Sequence, residues 1–190
     1  CVYRAIDNET GRAVAIKTSE TDPARLILES KIAARLDHPN IVEAHGHLRD
    51  PDTGLIFMLM EWVEGRSLAA LCGSLSAVEF DPLLAQICDG LSAAHWAGVI
   101  HRDLTPSNIM VTDSGQVRIV DWGLAWSFVE GENTISEDTL VGAVGYLAPE
   151  LAAGTREPAA SSDIYALAAL TYGALTGSHP FGGHPLLDEL

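Results

Sequence analysis

Three oxygen-bearing side chains, Asp103, Asn108 and Asp121, fall within the stretch IHRDLTPSNIMVTDSGQVRIVDWG between Ile100 and Gly123. Ile109 to Thr112 is an apolar, β-branched run, Asp113-Ser114-Gly115-Gln116 is a turn cluster, and Val117 to Val120 is a second run. This order reads as a hairpin. A four-residue turn would pair Thr112 with Val117, and the same register would set Asn108 opposite Asp121. Cβ atoms of directly opposed residues lie about 4.5–5.5 Å apart. An amide and a carboxylate oxygen held that close suit Mg²⁺, which takes one or two protein ligands and completes its shell with water and phosphate. The stretch therefore predicts a nucleotide site.

Other elements must bring further groups to it. Val2 to Ile6 and Ala13 to Thr18 read as strands joined by the turn-rich Asp7-Asn8-Glu9-Thr10-Gly11. A helix follows, with Asp22 as N-cap and Pro23 at its first position. Leu26, Ala33 and Leu36 mark its apolar face, and Glu29 falls on that same face. A buried carboxylate costs several kcal/mol without a cationic partner, and Lys17 on the neighbouring strand is the candidate. The other orientation, Glu29 turned to solvent beside Lys31, remains open at this point. Strands are expected near Ala44 to Arg49 and Leu55 to Met60. Pro82 to Ala97 reads as an amphipathic helix capped by Asp81, with Leu84, Ile87, Leu91 and Ala94 in one stripe. Ser161 to Thr176 reads as a second, buried helix, and Asp163 in its first turn suits the helix dipole.

Composition bounds the function. The 190 residues are 47% hydrophobic, enough for one domain or two small lobes. A net charge of −15 argues against nucleic acid and anionic membrane as partners. Only Lys17 and Lys31 are lysines, so the lysine on the second strand stands out. Cys1, Cys72 and Cys88 show neither pairing nor metal-ligand spacing and read as reduced thiols, which predicts a cytoplasmic location. The apolar stretch Ile164 to Leu175 is too short to span a bilayer, so no membrane segment is expected within this window. A membrane anchor outside it stays open. His45 and His47 share a strand face, but without a third ligand they do not make a metal site.

These residues carry a resemblance. His101-Arg102-Asp103-Leu104, three residues and Asn108 resemble the catalytic loop of eukaryotic-type protein kinases. Asp121-Trp122-Gly123 stands where that family has Asp-Phe-Gly, Ala148-Pro149-Glu150 closes the activation segment, and Val14-Ala15-Ile16-Lys17 resembles the strand bearing the phosphate-pairing lysine. Four motifs in order identify the chain as similar to bacterial serine/threonine protein kinase domains. The resemblance implies an α+β, bilobal fold: a small antiparallel-sheet N-lobe with one helix over residues 1–60, a hinge over 61–66, and a mainly helical C-lobe over 67–190. It also implies a fragment truncated at both ends, lacking the Gly-rich loop and the C-terminal helices. Such a fragment is expected to be poorly active, with Val2 to Ile6 left as an open sheet edge.

What the resemblance implies for the site is specific. Lys17 would hold the ATP phosphates, with Glu29 fixing the lysine, and Asn108 and Asp121 would hold Mg²⁺. Asp103 would orient and deprotonate the hydroxyl of a protein substrate. Backbone groups of Glu61 and Val63 would bond adenine, and Met60 would gate the pocket behind it. Asp163 would hydrogen-bond the catalytic-loop backbone, and Glu150 would find its partner beyond Leu190. Arg102 before the catalytic Asp goes with control by phosphorylation, for which the loop from Trp122 to Pro149 offers Thr134, Ser136 and, as the favoured site, Thr139. His101 is expected to be a packed structural residue.

Three departures stand against the family pattern. Thr105 replaces a lysine that contacts the transferring phosphate. Ala143 replaces a threonine that bonds the catalytic Asp and that lysine. Trp122 replaces Phe, a change that small Ala33 on the helix is expected to balance. The first two keep a second function open, a pseudokinase that holds nucleotide as a scaffold. The five retained site residues favour the enzyme, and the complete activation segment disfavours a small-molecule kinase.

Overall fold

Alternating apolar residues in VYRAI and AVAIKT, separated by a turn that Asp7 closes, produce the first hairpin. The Asp7 carboxylate accepts from the amides of Glu9 and Thr10, and Gly11 takes the left-handed φ of +70° that ends the turn. The computed structural model describes residues 1–19, 21–123, 125–127, 145–154 and 157–180, with Trp126 and Ser127 as backbone alone.

Strands β1 (Val2–Ile6), β2 (Ala13–Thr18), β3 (Ala44–Arg49) and β4 (Ile56–Glu61) form an antiparallel sheet in the order β1-β2-β4-β3. Register places Val2 opposite Lys17 and Lys17 opposite Met58. β1 is an edge, with Val2, Tyr3 and Ile6 exposed. Helix α1 (Pro23–Ala33) starts where Asp22 Oδ1 accepts from the Arg25 amide at 2.9 Å, as the N-cap pattern predicts. It lays Leu26, Glu29, Ile32 and Ala33 against the sheet.

The rest is mainly helical. Helix α2 (Ala77–Trp96) packs against α4 (Ala160–Thr176), and short α3 (Pro149–Ala152) carries Glu150. α2 begins five residues before the predicted Pro82. Ser76 Oγ accepts from the Glu79 amide while the Glu79 carboxylate accepts from the Ser76 amide, and this capping box overrides the expected Asp81 cap. Pro82 is consequently inside the helix, and Leu83 rather than Leu84 joins Phe80, Ile87, Leu91 and Ala94 as a buried residue. Burying each such side chain contributes roughly 1.5–3 kcal/mol.

A second sheet, β5 (Gly65–Ser67), β7 (Ile109–Thr112) and β8 (Val117–Ile119), lies between the two parts in the order β5-β7-β8. β6 (Val99–Ile100) pairs separately with β9 (Trp126–Ser127). Residues 40–42 bind the two parts together: Ile119 N–H donates to Asn40 O at 2.8 Å and Val42 N–H to Ile119 O at 3.0 Å. Asn40 Nδ2 adds bonds to Gln86 Oε1 and Val117 O. One buried apolar cluster runs through both parts, from Leu26 and Met58 to Ile87 and Leu170. This is the α+β class expected from the sequence. No helix among the described residues is long and apolar enough to cross a membrane.

Candidate active site

The β7–β8 hairpin forms, one residue out of the expected register. Val111 pairs with Val117, and Thr112 N–H donates to Gln116 O, so the turn has three residues rather than four. Gly115 at φ +78° makes that shorter turn possible. Asn108 therefore faces Val120, whose amide donates to its carbonyl at 2.9 Å, and it does not face Asp121. Asp121 reaches the site differently. It sits just past the strand at φ +62°, a left-handed conformation costing a non-glycine residue about 1–3 kcal/mol. That reversal turns its carboxylate toward Lys17.

Lys17 lies between two carboxylates. Its Nζ is 2.7 and 2.8 Å from the two oxygens of Glu29 and 2.7 Å from Asp121 Oδ1. Glu29 is 4% exposed, which decides between its two readings: it faces inward and pairs with Lys17. Burial acts to lower the Lys17 pKa, but the two carboxylates outweigh it and hold the ammonium charged above its ordinary value. Burial raises Glu29, and Lys17 only partly offsets this. For Asp121 burial is also the largest influence, yet Lys17 and the Gly123 amide together hold it below the ordinary carboxylate value. Gly123 has a packing reason as well, since a Cβ there would stand 2.9 Å from Glu29 Oε2.

The segment from His101 to Asp103 hangs on Asp163, a 1%-exposed carboxylate in the first turn of α4. Oδ2 accepts from the His101 amide at 2.9 Å and lies 2.8 Å from His95 Nε2, while Oδ1 accepts from the Arg102 amide at 2.9 Å. These bonds restrain Arg102 at φ +69°. His101 is fully buried, its ring centroid 4.6 Å from that of Trp122. Its Nδ1 accepts from the Asp103 amide, which leaves Nε2–H to donate to Val120 O. It is a packed residue with both nitrogens occupied, as expected.

Asn108 Nδ2 donates to the Asp103 carbonyl at 2.8 Å and to its carboxylate at 3.2 Å. The amide nitrogen being spent, Oδ1 is the Asn108 atom suited to a cation. One amide oxygen and one carboxylate oxygen, from Asn108 and Asp121 on the wall of a common cavity, fit the hard-ligand set of Mg²⁺. Burial raises the Asp103 pKa, and the charge of Asp121 pushes in the same direction.

Two cavities meet here. One, of about 330 Å³, is lined by Ala15, Met60, Glu61, Val63, Met110 and Val120, with Lys17, Asn108 and Asp121 at its inner end. The other, of about 290 Å³, contains Asp103 and Arg25 and shares Lys17, Glu29 and Asp121 with the first. Such an apolar slot opening onto a charged chamber fits a flat base with a polyanionic tail. At Glu61 the N–H is already spent on Glu43 O, so only its carbonyl could serve a base.

Thr105 precedes the 3₁₀ turn Pro106–Asn108, its carbonyl accepting from the Asn108 amide at 3.0 Å. Thr134, Ser136, Thr139 and Ala143 lie outside the described residues. His45 and His47 do not converge: one lies 3.6 Å from Glu43 and the other 3.3 Å from Ser30 Oγ. Sequence reasoning passed over His95, which is 68 positions from Asp163 with no spacing to betray the pairing. It also passed over Arg25, whose Nε donates to Gly123 O at 2.9 Å.

Comparison with known proteins points the same way. A family model described as the protein kinase domain matches residues 1–188. The chain is 36% identical to a probable serine/threonine-protein kinase PknB of Corynebacterium glutamicum, over 96% of this chain and 30% of that protein. It is 34% identical to the serine/threonine-protein kinase PknA of Mycobacterium tuberculosis, over 96% of this chain and 45% of that protein. Against the serine/threonine-protein kinase PknB of Mycolicibacterium smegmatis the figures are 33%, 96% and 31%. The chain thus spans less than half the length of these relatives.

Proposed function

The chain belongs to the protein kinase domain family, and from that premise we propose that it transfers the γ-phosphoryl group of ATP to serine or threonine hydroxyls of protein substrates. The observation that carries this reading is Lys17 held between Glu29 and Asp121 at the junction of the two cavities, with Asp103 on the wall of the second.

Residues 1–60 act as one lobe, 61–66 as the hinge and 67–190 as the other lobe. Adenine enters between Ala15 and Met110, its amino group donating to Glu61 O and its ring nitrogen accepting from Val63 N–H, with Met60 closing the back. Lys17 holds the α- and β-phosphates. Asn108 and Asp121 hold Mg²⁺, which neutralises phosphate charge when bound. Asp103 orients the acceptor hydroxyl and takes its proton. The new O–P bond forms as the bond from the γ-phosphorus to the bridging oxygen breaks, and ADP leaves with that electron pair. Thr105 removes one cation from this scheme, a loss that can lower turnover by about 10²–10³-fold without abolishing it.

Arg102 and Thr139 form the regulatory pair, phosphate on the threonine being bound by the guanidinium. Glu150 and Asp163 are structural. The unpaired thiols of Cys1, Cys72 and Cys88 and the need for ATP support a cytoplasmic location. Transfer of radiolabel from ATP to a protein acceptor, compared between the full-length parent and its Asp103→Asn variant, tests the assignment. Label well above the variant is expected, and equal background in both overturns it. Phosphopeptide mass spectrometry of active protein tests Thr139, and no phosphate between Gly123 and Ala148 overturns that site.

A further inference from the structure

One oxygen atom at the hinge joins three separated parts of the chain. Glu61 Oε1 accepts from Arg118 Nε at 3.0 Å and from the Glu43 amide at 3.0 Å. The Glu61 amide in turn donates to Glu43 O at 2.9 Å, so residues 43 and 61 are bonded twice. Arg118 belongs to β8, where it pairs with Met110. Met110 and Val120, the residue two further along the chain from Arg118, line the base cavity, and Asp121 follows directly. The ion pair therefore ties the end of β4 to β8, the strand that leads to Asp121.

Position gives this pair its importance. Glu61 and Arg118 are only 27% and 21% exposed, so they are shielded from much of the solvent screening that makes surface pairs weak. We infer that Glu61 and Arg118 form a positioning strut for the nucleotide base, in which the Glu61 side chain fixes the separation of hinge and β8 that its own carbonyl needs to meet the base. This inference rests on the nucleotide reading of the site and adds to it a side-chain role for Glu61 and a role for Arg118. Neither side chain transfers a proton or touches phosphate. Both act through the backbone they hold.

A strut for the base has a signature that a phosphate contact or a merely stabilising pair lacks. Removing it should weaken adenosine and ATP by the same factor, because the loss lies at the part of the ligand they share. The test is titration of the protein with adenosine and with ATP, for the parent, Arg118→Met and Arg118→Lys, alongside steady-state kinetics and thermal melting. Arg118→Met is expected to weaken both ligands by about tenfold, the scale of one charge-assisted hydrogen bond. KM for ATP should rise in step, kcat should change by less than about threefold, and Arg118→Lys should recover most of the loss. Glu61→Gln, which keeps an acceptor for the Glu43 amide, carries the test should Arg118→Met fail to fold, and it is expected to weaken both ligands equally. Equal affinity of parent and variants overturns the strut, as does weakening of ATP alone. A parent that binds neither compound overturns the nucleotide reading, and the strut with it.

Discussion

Lys17 Nζ lies 2.7 Å from Asp121 Oδ1, an ion pair between residues 104 positions apart that joins β2 of the four-stranded sheet to the segment after β8. The same ammonium neutralises Glu29, which is almost fully buried. Removing it does two separable things. On the proposed reading Lys17→Met removes the charge that holds phosphate, and phosphoryl transfer should fall by at least about 10²-fold. Glu29 is also left as a buried charge without its partner, which should cost about 3–5 kcal/mol of stability. Lys17→Met/Glu29→Gln should recover most of that stability and none of the activity. Denaturant unfolding and transfer assays on the same samples check both halves, and parallel recovery would sink the argument.

Asp163 gathers three bonds into one buried carboxylate beside the site. It accepts from His95, from the His101 amide and from the Arg102 amide, all around a strained backbone. Asp163→Ala would orphan these donors in a buried place, at a cost of at least about 3 kcal/mol. Asp163→Asn keeps one acceptor oxygen and should cost less. Urea unfolding of the two variants reads the difference.

The pH dependence of stability should expose Asp103. Burial and the neighbouring Asp121 raise its folded pKa above the ordinary 3.8. A raised folded pKa means that the folded state binds the proton more tightly than the unfolded one. Its contribution is fully present below 3.8 and is lost as pH rises through the folded value. Asp103→Asn removes that loss. The variant should melt higher than the parent at pH 7, and the gain should shrink as pH falls toward 4. It should also transfer no phosphate, the usual exchange of activity for stability at such sites. A gain that grows on acidification would contradict the assignment.

Most of the site was legible because its residues are tied to local patterns. Asp22-Pro23 fixed the start of α1, which fixed the face on which Glu29 lies, and a buried carboxylate demanded Lys17. The hairpin register failed by one residue because Asp113-Ser114-Gly115-Gln116 is compatible with either turn length, and only Gly115 adopting φ +78° chooses between them. In that register Asn108 and Asp121 are not opposed. Asp121 still reaches the site, through a left-handed backbone that propensity disfavours and sequence does not announce. The start of α2 was misread because Asp81-Pro82 offers its own cap-and-proline pattern, whereas the helix begins at the Ser76–Glu79 capping box and carries Pro82 inside it. His95 to Asp163 and Arg118 to Glu61 are long-range contacts with no spacing rule to reveal them.

Trp122 offers a packing test. It replaces the usual Phe, is 1% exposed, and lies in the same buried cluster as Ala33, which is fully buried. Its Nε1–H is buried with no acceptor among the described residues, and the indole packs within that cluster. Ala33, with no exposed surface, has no solvent side to which a larger side chain could turn. Ala33→Leu should overpack the cluster and cost about 1–3 kcal/mol, with lowered activity if α1 is pushed outward and Glu29 is drawn from Lys17. Restoring the smaller ring in Ala33→Leu/Trp122→Phe should return part of that stability, because the added methyl groups enter the space that the indole leaves and a buried orphan donor disappears. Thermal melts of the two single variants and the double variant measure the coupling. Additive losses would mean that residues 33 and 122 do not share that space.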